Sequence, residues 1–409
     1  MSPSVRLKDV GSAYGGLIGK TKADFGRGNA SFVTFLEVIN NTRLRGRHLA
    51  RVHVARGERQ NRVLRGDLLF NGSSEVPEEV ALSAVVDFEP SESTYLNSFC
   101  FGFRLRADSA VDPTYLAYFF RSAAGRALVS SLAQGATRYN IAKTKFLDVE
   151  LDLPPLERQG RIAESLCAAD DLISALERLI VKKQAIRRGI VEQLLTGKTR
   201  LPGFTGSWAR TQLGDVGVFL KGRGVTRGDV RGAGVRCIRY GELYTAFEDY
   251  TSEARSFVTP EVALKALPLR VGDLLLAGSG ETREEIGKCV AYLGPTPAVA
   301  GGDIIVLRGG QFHPIFLALL LNTPDVVSQK ARAGQGDAVV HIYSHALAAI
   351  EVSLPPPAEQ DAIARVITDA DREIATLRGR LSKTQGIKQG MMHELLTNRT
   401  CLPVVKARA

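Results

Sequence analysis

Apolar positions in this chain follow two different rhythms. Ile162, Leu166, Ala169, Ile173, Leu176 and Ile180 step alternately by four and three residues, the heptad spacing of a helix that packs one seam against a partner. The same steps return at Ile363, Ile367, Ala370, Ile374, Leu377 and Leu381. A lone helix cannot bury such a seam. The second copy offers a partner within the chain, so an antiparallel coiled coil is expected. Roughly 35–40 residues at about 1.5 Å each would make a rod of about 55–60 Å, a spacer in form. The remaining sequence has the rhythm of short strands. These are expected at 32–38, 67–70, 81–88 and 99–105, and again at 234–238, 273–276, 288–293 and 303–307. Each strand-rich stretch closes with a helical one, 113–132 or 314–332. The reading is α+β: two mixed α/β domains separated by two long helices.

The helical stretch is a repeat. LPPLERQGRIAESLCAADDLISALERLIVKKQ returns as LPPPAEQDAIARVITDADREIATLRGRLSKTQ at a constant offset of 201 residues. From Glu150/Glu351 to Pro202/Pro403, 21 of 53 pairs are identical, among them Gln159/Gln360, Asp170/Asp371 and Gly189/Gly390. Weaker echoes lie between: Gly66-Asp67-Leu68-Leu69 with Gly272-Asp273-Leu274-Leu275, and Gln134-Gly135 with Gln335-Gly336. Two helical units that stay alike beside two variable units that diverge imply a pseudo-two-fold scaffold carrying different partners. Four segments follow: 1–150, 151–205, 206–350 and 351–409.

Net charge is +10, and it is uneven: residues 43–65 hold eight arginines and one acid, Glu58. Polar and apolar side chains alternate through Arg51-Val52-His53-Val54, the period of a strand with one wet face. Guanidinium groups bind phosphate oxygens bidentately, so nucleic acid is the expected partner. Five scattered cysteines without a CxxC pair read as reduced packing residues. No apolar run approaches a membrane span and the N-terminus lacks a signal core, so a cytoplasmic protein is expected.

Catalytic motifs fail when their spacing is checked. GGLIGKT has Tyr14 where a phosphate loop needs its first glycine, and GKT at 197–199 has Glu192 there. Gly222, Gly224 and Arg227 miss the dinucleotide fingerprint at its last position. His341 and His345 have metal-like spacing but no acidic third ligand, so no metal is expected. The (N/D)PP(Y/F) loop of an amino-methyltransferase is missing from the sequence. A binding subunit, not an enzyme, is the reading.

The LPPLERQ…LLTGKTRLP block and its copy LPPPAEQ…LLTNRTCLP resemble the conserved regions of the specificity subunits of type I restriction–modification systems. The opening GGLIGKTKADFGRGNASFVTFLEVINN and the GDLLF and GDLLL turns resemble that family's target-recognition domains. The copies differ where Leu156-Glu157 becomes Pro357-Ala358 and Gly197-Lys198 becomes Asn398-Arg399. The resemblance implies a non-catalytic subunit in which each target-recognition domain reads one half of a bipartite site in double-stranded DNA. It further implies helices that set the unread spacer and recruit two modification (methyltransferase) subunits and a restriction subunit. S-adenosylmethionine and ATP belong to those partners, with no cofactor on this chain. A coiled-coil adaptor without DNA binding and a fused restriction–modification enzyme are the alternatives.

Base readers should be polar or basic residues on loops, supported by phosphate contacts. In the first variable unit the candidates are Lys20, Lys22, Arg27, Asn29, Asn40, Asn41, Arg43, Arg47, Arg51, Ser73, Ser74, Gln134, Thr137, Arg138 and Tyr139. In the second they are Lys221, Arg223, Arg227, Arg231, Arg239, Ser279, Thr282, Arg283 and the stretch from Gln335 to His341. On the helices, Arg158, Arg161, Arg187, Arg188, Arg372 and Lys388 lie outside the seam and are candidates for partner contact.

Overall fold

A computed structural model describes residues 4–397; the final repeat positions Asn398, Arg399, Cys401 and Pro403 lie outside them. The heptad stretches form two helices of 40 residues each, Leu156–Leu195 and Pro357–Leu396. Compactness divides the chain into two units, and the division cuts both helices in mid-length. The first unit takes the chain to Arg178 and from Arg378 on; the second is Leu179–Leu377. Each unit is therefore one variable stretch with half of each long helix.

In the first unit a five-stranded sheet runs in the order Gly11–Gly15, Cys100–Leu105, Leu68–Asn71, Ser83–Val86, Arg43–Leu44, antiparallel except at its last pair. The second unit repeats order and sense with Val218–Lys221, Ile304–Arg308, Leu274–Ala277, Cys289–Tyr292 and Tyr250–Thr251. A smaller sheet accompanies each: three strands around Phe25–Val33, four around Val235–Ile238. Both variable stretches are closed at their base by a strand pair that leads into a long helix. Ser4–Arg6 pairs with Glu150–Asp152, and Ala209–Gln212 with Glu351–Leu354. Glu150 and Glu351, identical in the repeat, hold Arg6 and Arg210 across these pairs.

The cores fill the same plan with different chemistry. In the first, Phe70, Phe101, Phe120 and Phe146 pack rings, the closest 4.8 Å apart. In the second, Leu274, Leu276, Ile305 and Leu307 meet the helix Pro314–Leu321, every residue of which after the proline is buried. That apolar helix is an inner core element, and among the described residues no helix is long and apolar enough to cross a membrane.

Three expected elements come out differently. The strand expected at 32–38 ends at Val33, and Phe35–Asn40 is a helix capped by the Thr34 hydroxyl, which accepts from Glu37 N at 3.2 Å. The helix expected at 113–132 breaks into Pro113–Arg121 and Ala123–Ser130, because Ser122 turns extended and caps the second piece. The one expected at 314–332 breaks into Pro314–Leu321 and Pro324–Ala333, since Pro324 has no N–H to continue the ladder.

Of the seam positions, Ile162, Leu166, Leu176, Ile180, Ile363, Ile367, Ile374 and Leu377 are buried, whereas Ala169, Ile173, Ala370 and Leu381 are half-buried. Ile162 and Leu166 share the first unit's core with Leu395 and Leu396 from the far end of the other helix. Leu194 and Leu195 share the second unit's core with Ile363 and Ile367. The helix halves are thus antiparallel in each unit. Ion pairs follow the same symmetry: Lys388 Nζ lies 2.6 Å from Asp170, and Arg187 Nε 2.8 Å from Asp371, the positions 201 residues away.

Buried glutamines fasten the helices to the variable stretches. Gln159 accepts from Asp112 N at 2.9 Å and donates to Pro154 O at 2.7 Å. Gln360 accepts from His313 N and donates to Pro355 O, both at 2.9 Å. Asp112 and His313 each cap the helix that follows them, so one amide joins two helix starts.

Candidate nucleic-acid interface

In each unit the chain returns from the two-part helical stretch through a tight hairpin. Gln134 and Asn140 exchange backbone hydrogen bonds of 2.9 and 2.8 Å; Gln335 and His341 do the same at 2.8 and 2.7 Å. The loops between them are fully exposed at 135–138 and 336–339. Gly135 (φ 134°) and Gly336 (φ 104°) are required here, because a Cβ would sit 2.1 Å from Arg138 O and 2.3 Å from Val339 O. The paired glycines of the sequence echo are therefore geometric. The side chains beyond them are free to differ.

The hairpins dock on short strands. Tyr139–Asn140 pairs with Ser73–Ser74, and Val340–His341 with Ser279–Gly280. Ser73, Ser74, Gln134, Thr137, Arg138 and Tyr139, scattered in sequence, thus meet in one place, as do Ser279, Thr282, Arg283, Gln335 and His341. Their roles differ. Ser279 is buried, with its hydroxyl 2.9 Å from His341 Nδ1. Arg283 reaches Gly334 O at 2.9 Å and Gly336 O at 3.2 Å, bracing the loop from behind. Thr282 accepts from Glu285 N at 3.3 Å. Behind the first hairpin, a cavity of about 290 Å³ is lined by Gly15, Gly16, Ser73, Phe99, Asn140 and Lys143.

Other candidates lie elsewhere, and several are occupied. Lys20 is nearly buried in an ion pair with Glu58 at 2.6 Å, which, with amide donors from Gln60 and Ala55, holds the Glu58 carboxyl down at about 2. Asn29 bonds both ways to the Val54 backbone at 2.9 Å. Asn41 donates to Glu37 O at 3.0 Å. Arg43 pairs with Asp87 at 2.7 Å and Asp171 at 3.1 Å, and Arg45 joins the latter. Asn40, Asn41, Arg43 and Arg47 line a separate cleft against the long helix. Arg51 is exposed, bonding to Gly28 O at 2.8 Å, and the Arg51-Val52-His53-Val54 alternation is realised as exposed, buried, exposed, buried. Lys22, Arg27 and Arg47 are exposed, as are Lys221, Arg223 and Arg227. Arg231 turns back to Gly228 O at 2.7 Å, and Arg239 is half-buried beside Glu242 at 3.7 Å.

Four of the six helix candidates are not exposed as expected. Arg187 and Lys388 are the cations of the symmetric ion pairs, and Arg158 and Arg161 are half-buried; Arg188 and Arg372 are exposed. His345 stacks on the Tyr343 ring with 7° between planes, and His341 is taken by Ser279. Sequence reasoning passed over Phe99 and Asp303 as readers, and no motif marks them; Val339 lies within the expected Gln335–His341 turn.

Each unit is a mixed α/β domain on antiparallel helix halves, and comparisons with known proteins find chains similar to this one. Residues 4–186 match the type I restriction modification DNA specificity domain. The protein assigned as the MjaX type I restriction enzyme specificity subunit of Methanocaldococcus jannaschii is 23% identical over 387 residues, covering 90% of this chain and 86% of its own. The MjaVIII specificity subunit of the same organism is 24% identical, covering 71% of this chain and 70% of its own. The fold is shared with the type I S subunit from M. genitalium at 12% identity and TM-score 0.58, covering 97% and 96% of the two chains. It is also shared with the HsdS subunit from Thermoanaerobacter tengcongensis at 17% identity and TM-score 0.52, covering 97% of each. The chain is thus similar over most of its length to specificity subunits of type I restriction–modification systems, and the matching domain model covers its first unit and the start of the first long helix.

Proposed function

We propose that this subunit reads a bipartite sequence in double-stranded DNA, one variable unit per half-site, and does no chemistry itself. The observation that carries this reading is the pair of equivalent hairpins. Glycine and strand pairing fix the same loop twice, and the exposed side chains on it differ, ATR in one and DAV in the other. A repeated frame with changed contact residues is what two different half-sites require. The excess of positive charge, concentrated at 43–65, supports binding to phosphate before sequence is read. In the same proposal the long helices serve for spacing and for recruiting two modification subunits and a restriction subunit. S-adenosylmethionine and ATP would be bound by those partners.

Methylome sequencing of cells with and without the gene tests the reading. Loss of adenine methylation at one bipartite motif is the expected result. An unchanged methylome would leave the alternative of a helical adaptor that binds no DNA.

A further inference from the structure

The surroundings of the two hairpins can be matched residue by residue. Gly72 N donates to Phe99 O at 2.8 Å, as Gly278 N does to Asp303 O at 2.7 Å. Gly16 N donates to Cys100 O at 3.2 Å, as Gly222 N does to Ile304 O at 2.8 Å. Ile141 N donates to Gly72 O at 3.3 Å, as Ile342 N does to Gly278 O at 3.0 Å. Phe99 and Asp303 are therefore equivalent positions. The loops are equal in length, so Arg138 and Val339 are equivalent as well.

All four residues are exposed. Phe99 at 58% and Val339 at 50% are large apolar side chains left in solvent beside polar loops. The Arg138 guanidinium lies over the Phe99 ring, 5.3 Å from its centroid. Asp303 holds φ at 59°, a backbone region that residues other than glycine rarely occupy and that often marks a functional position. Between the units the hydrogen-bonding chemistry is thus reversed. The first presents a donor backed by a ring; the second has an acceptor and an apolar side chain at the two equivalent positions.

We propose, building on the half-site reading above, that Phe99–Arg138 and Asp303–Val339 are equivalent base-reading elements with opposite preferences. Arg138 offers two parallel N–H donors, which fit O6 and N7 of guanine in the major groove. Phe99 is its positioning residue, holding the guanidinium plane by cation–π contact. The Asp303 carboxylate accepts from the N4 amino group of cytosine, and Val339 gives an apolar contact suited to the methyl of a neighbouring thymine.

The test is methylome sequencing of cells carrying R138A, F99A, F99Y or D303N in the otherwise intact system. R138A should relax one guanine in one half-site only, with discrimination there falling roughly ten- to hundredfold. F99A should relax the same position less, and F99Y should restore it. D303N should relax one cytosine in the other half. Should R138A abolish methylation altogether, duplexes carrying 7-deazaguanine at each guanine in turn, bound to the wild-type complex, decide the matter. Loss of affinity at one guanine of that half supports the proposal, and indifference at all of them overturns it. Unchanged motifs with full methylation in R138A and D303N, relaxation spread over both halves, or a half-site made only of A·T pairs would also overturn it. A gene deletion that leaves the methylome intact is a separate result, and it removes the half-site reading itself.

Discussion

Lys330 shows how a single residue can be forced against its own preference. It is 1% exposed, its amine donates to Gly287 O at 2.6 Å, and desolvation brings its pKa down to about 8. Between that value and the usual 10.5 of a free lysine, the unfolded chain holds a proton that the folded chain has released. Stability attributable to Lys330 therefore rises with pH across this window, and below it the buried charge is a cost. Chemical denaturation of wild type and K330M from pH 7 to 10 should show a difference that shifts in favour of wild type as pH rises. Asp67 and Asp273 are the converse, buried acids that are fully used. Asp67 binds Arg104 at 2.7 Å, the Tyr14 hydroxyl at 2.6 Å and Leu64 N at 2.8 Å. Asp273 repeats the pattern with Arg308 at 2.6 Å and Arg270 N at 2.8 Å. The GDLL echo is thus a pin that ties a turn to the neighbouring strand. D67N should destabilise by about 1–3 kcal/mol, the lower part of what a lost buried partner costs, since Arg104 is half in water. A melting curve unmoved by D67N would contradict that role.

Among the elements, the long helices give the sharpest contrast between positions of one seam. Ile162 is 0% exposed within the first unit's core, whereas Ile173, eleven residues on in the same heptad pattern, is only half-buried. I162D should cost several kcal/mol and I173D nearer 1, as read by urea denaturation of the two variants. Equal losses would mean that the seam, rather than the unit's core, sets the stability. Periodicity made these helices legible because six seam positions run from Ile162 to Ile180 and recur at a fixed offset from Ile363 to Leu381. Most strands were legible for the same reason at shorter range. The helix Phe35–Asn40 was not, because Phe35, Leu36, Val38 and Ile39 suit either period and only the Thr34 cap decides. Of the candidate readers, those next to the QG turns meet at one site, since the turn itself is visible in sequence. Lys20, Asn29 and Arg43 were chosen for their polarity, and polarity alone does not show that Glu58, the Val54 backbone or Asp87 already holds them. Phe99 and Asp303 left no trace, because their equivalence exists only through backbone hydrogen bonds to Gly72 and Gly278.

At the scale of the molecule, charge and duplication each make a separable prediction. Within 43–65, Arg43 and Arg45 are committed to Asp171, so neutralising them would loosen the fold. Arg47 and Arg51 are exposed and suit the purpose better. R47Q/R51Q should lower the slope of log affinity against log salt by about 2, equally for cognate and scrambled duplexes, leaving the preferred sequence unchanged. A changed preference at constant slope would make these arginines base readers. Duplication permits a bolder exchange. Both variable units join the helices through the same joints: a closing strand pair at Glu150–Asp152 or Glu351–Leu354, and a glutamine, Gln159 or Gln360, bonded to the amide of Asp112 or His313. That amide bond makes no demand on the side chain at 112 or 313, so either unit should seat on either helix start. A chain with residues 209–354 in place of 4–153, and its own second unit retained, keeps every joint and carries one reader twice. Its methylated motif should contain the second half-site in both halves, with the first half-site gone. Persistence of the first half-site in that motif would place part of its readout on the helices, and a chain that folds but methylates nothing would mean that each unit seats on one helix start only.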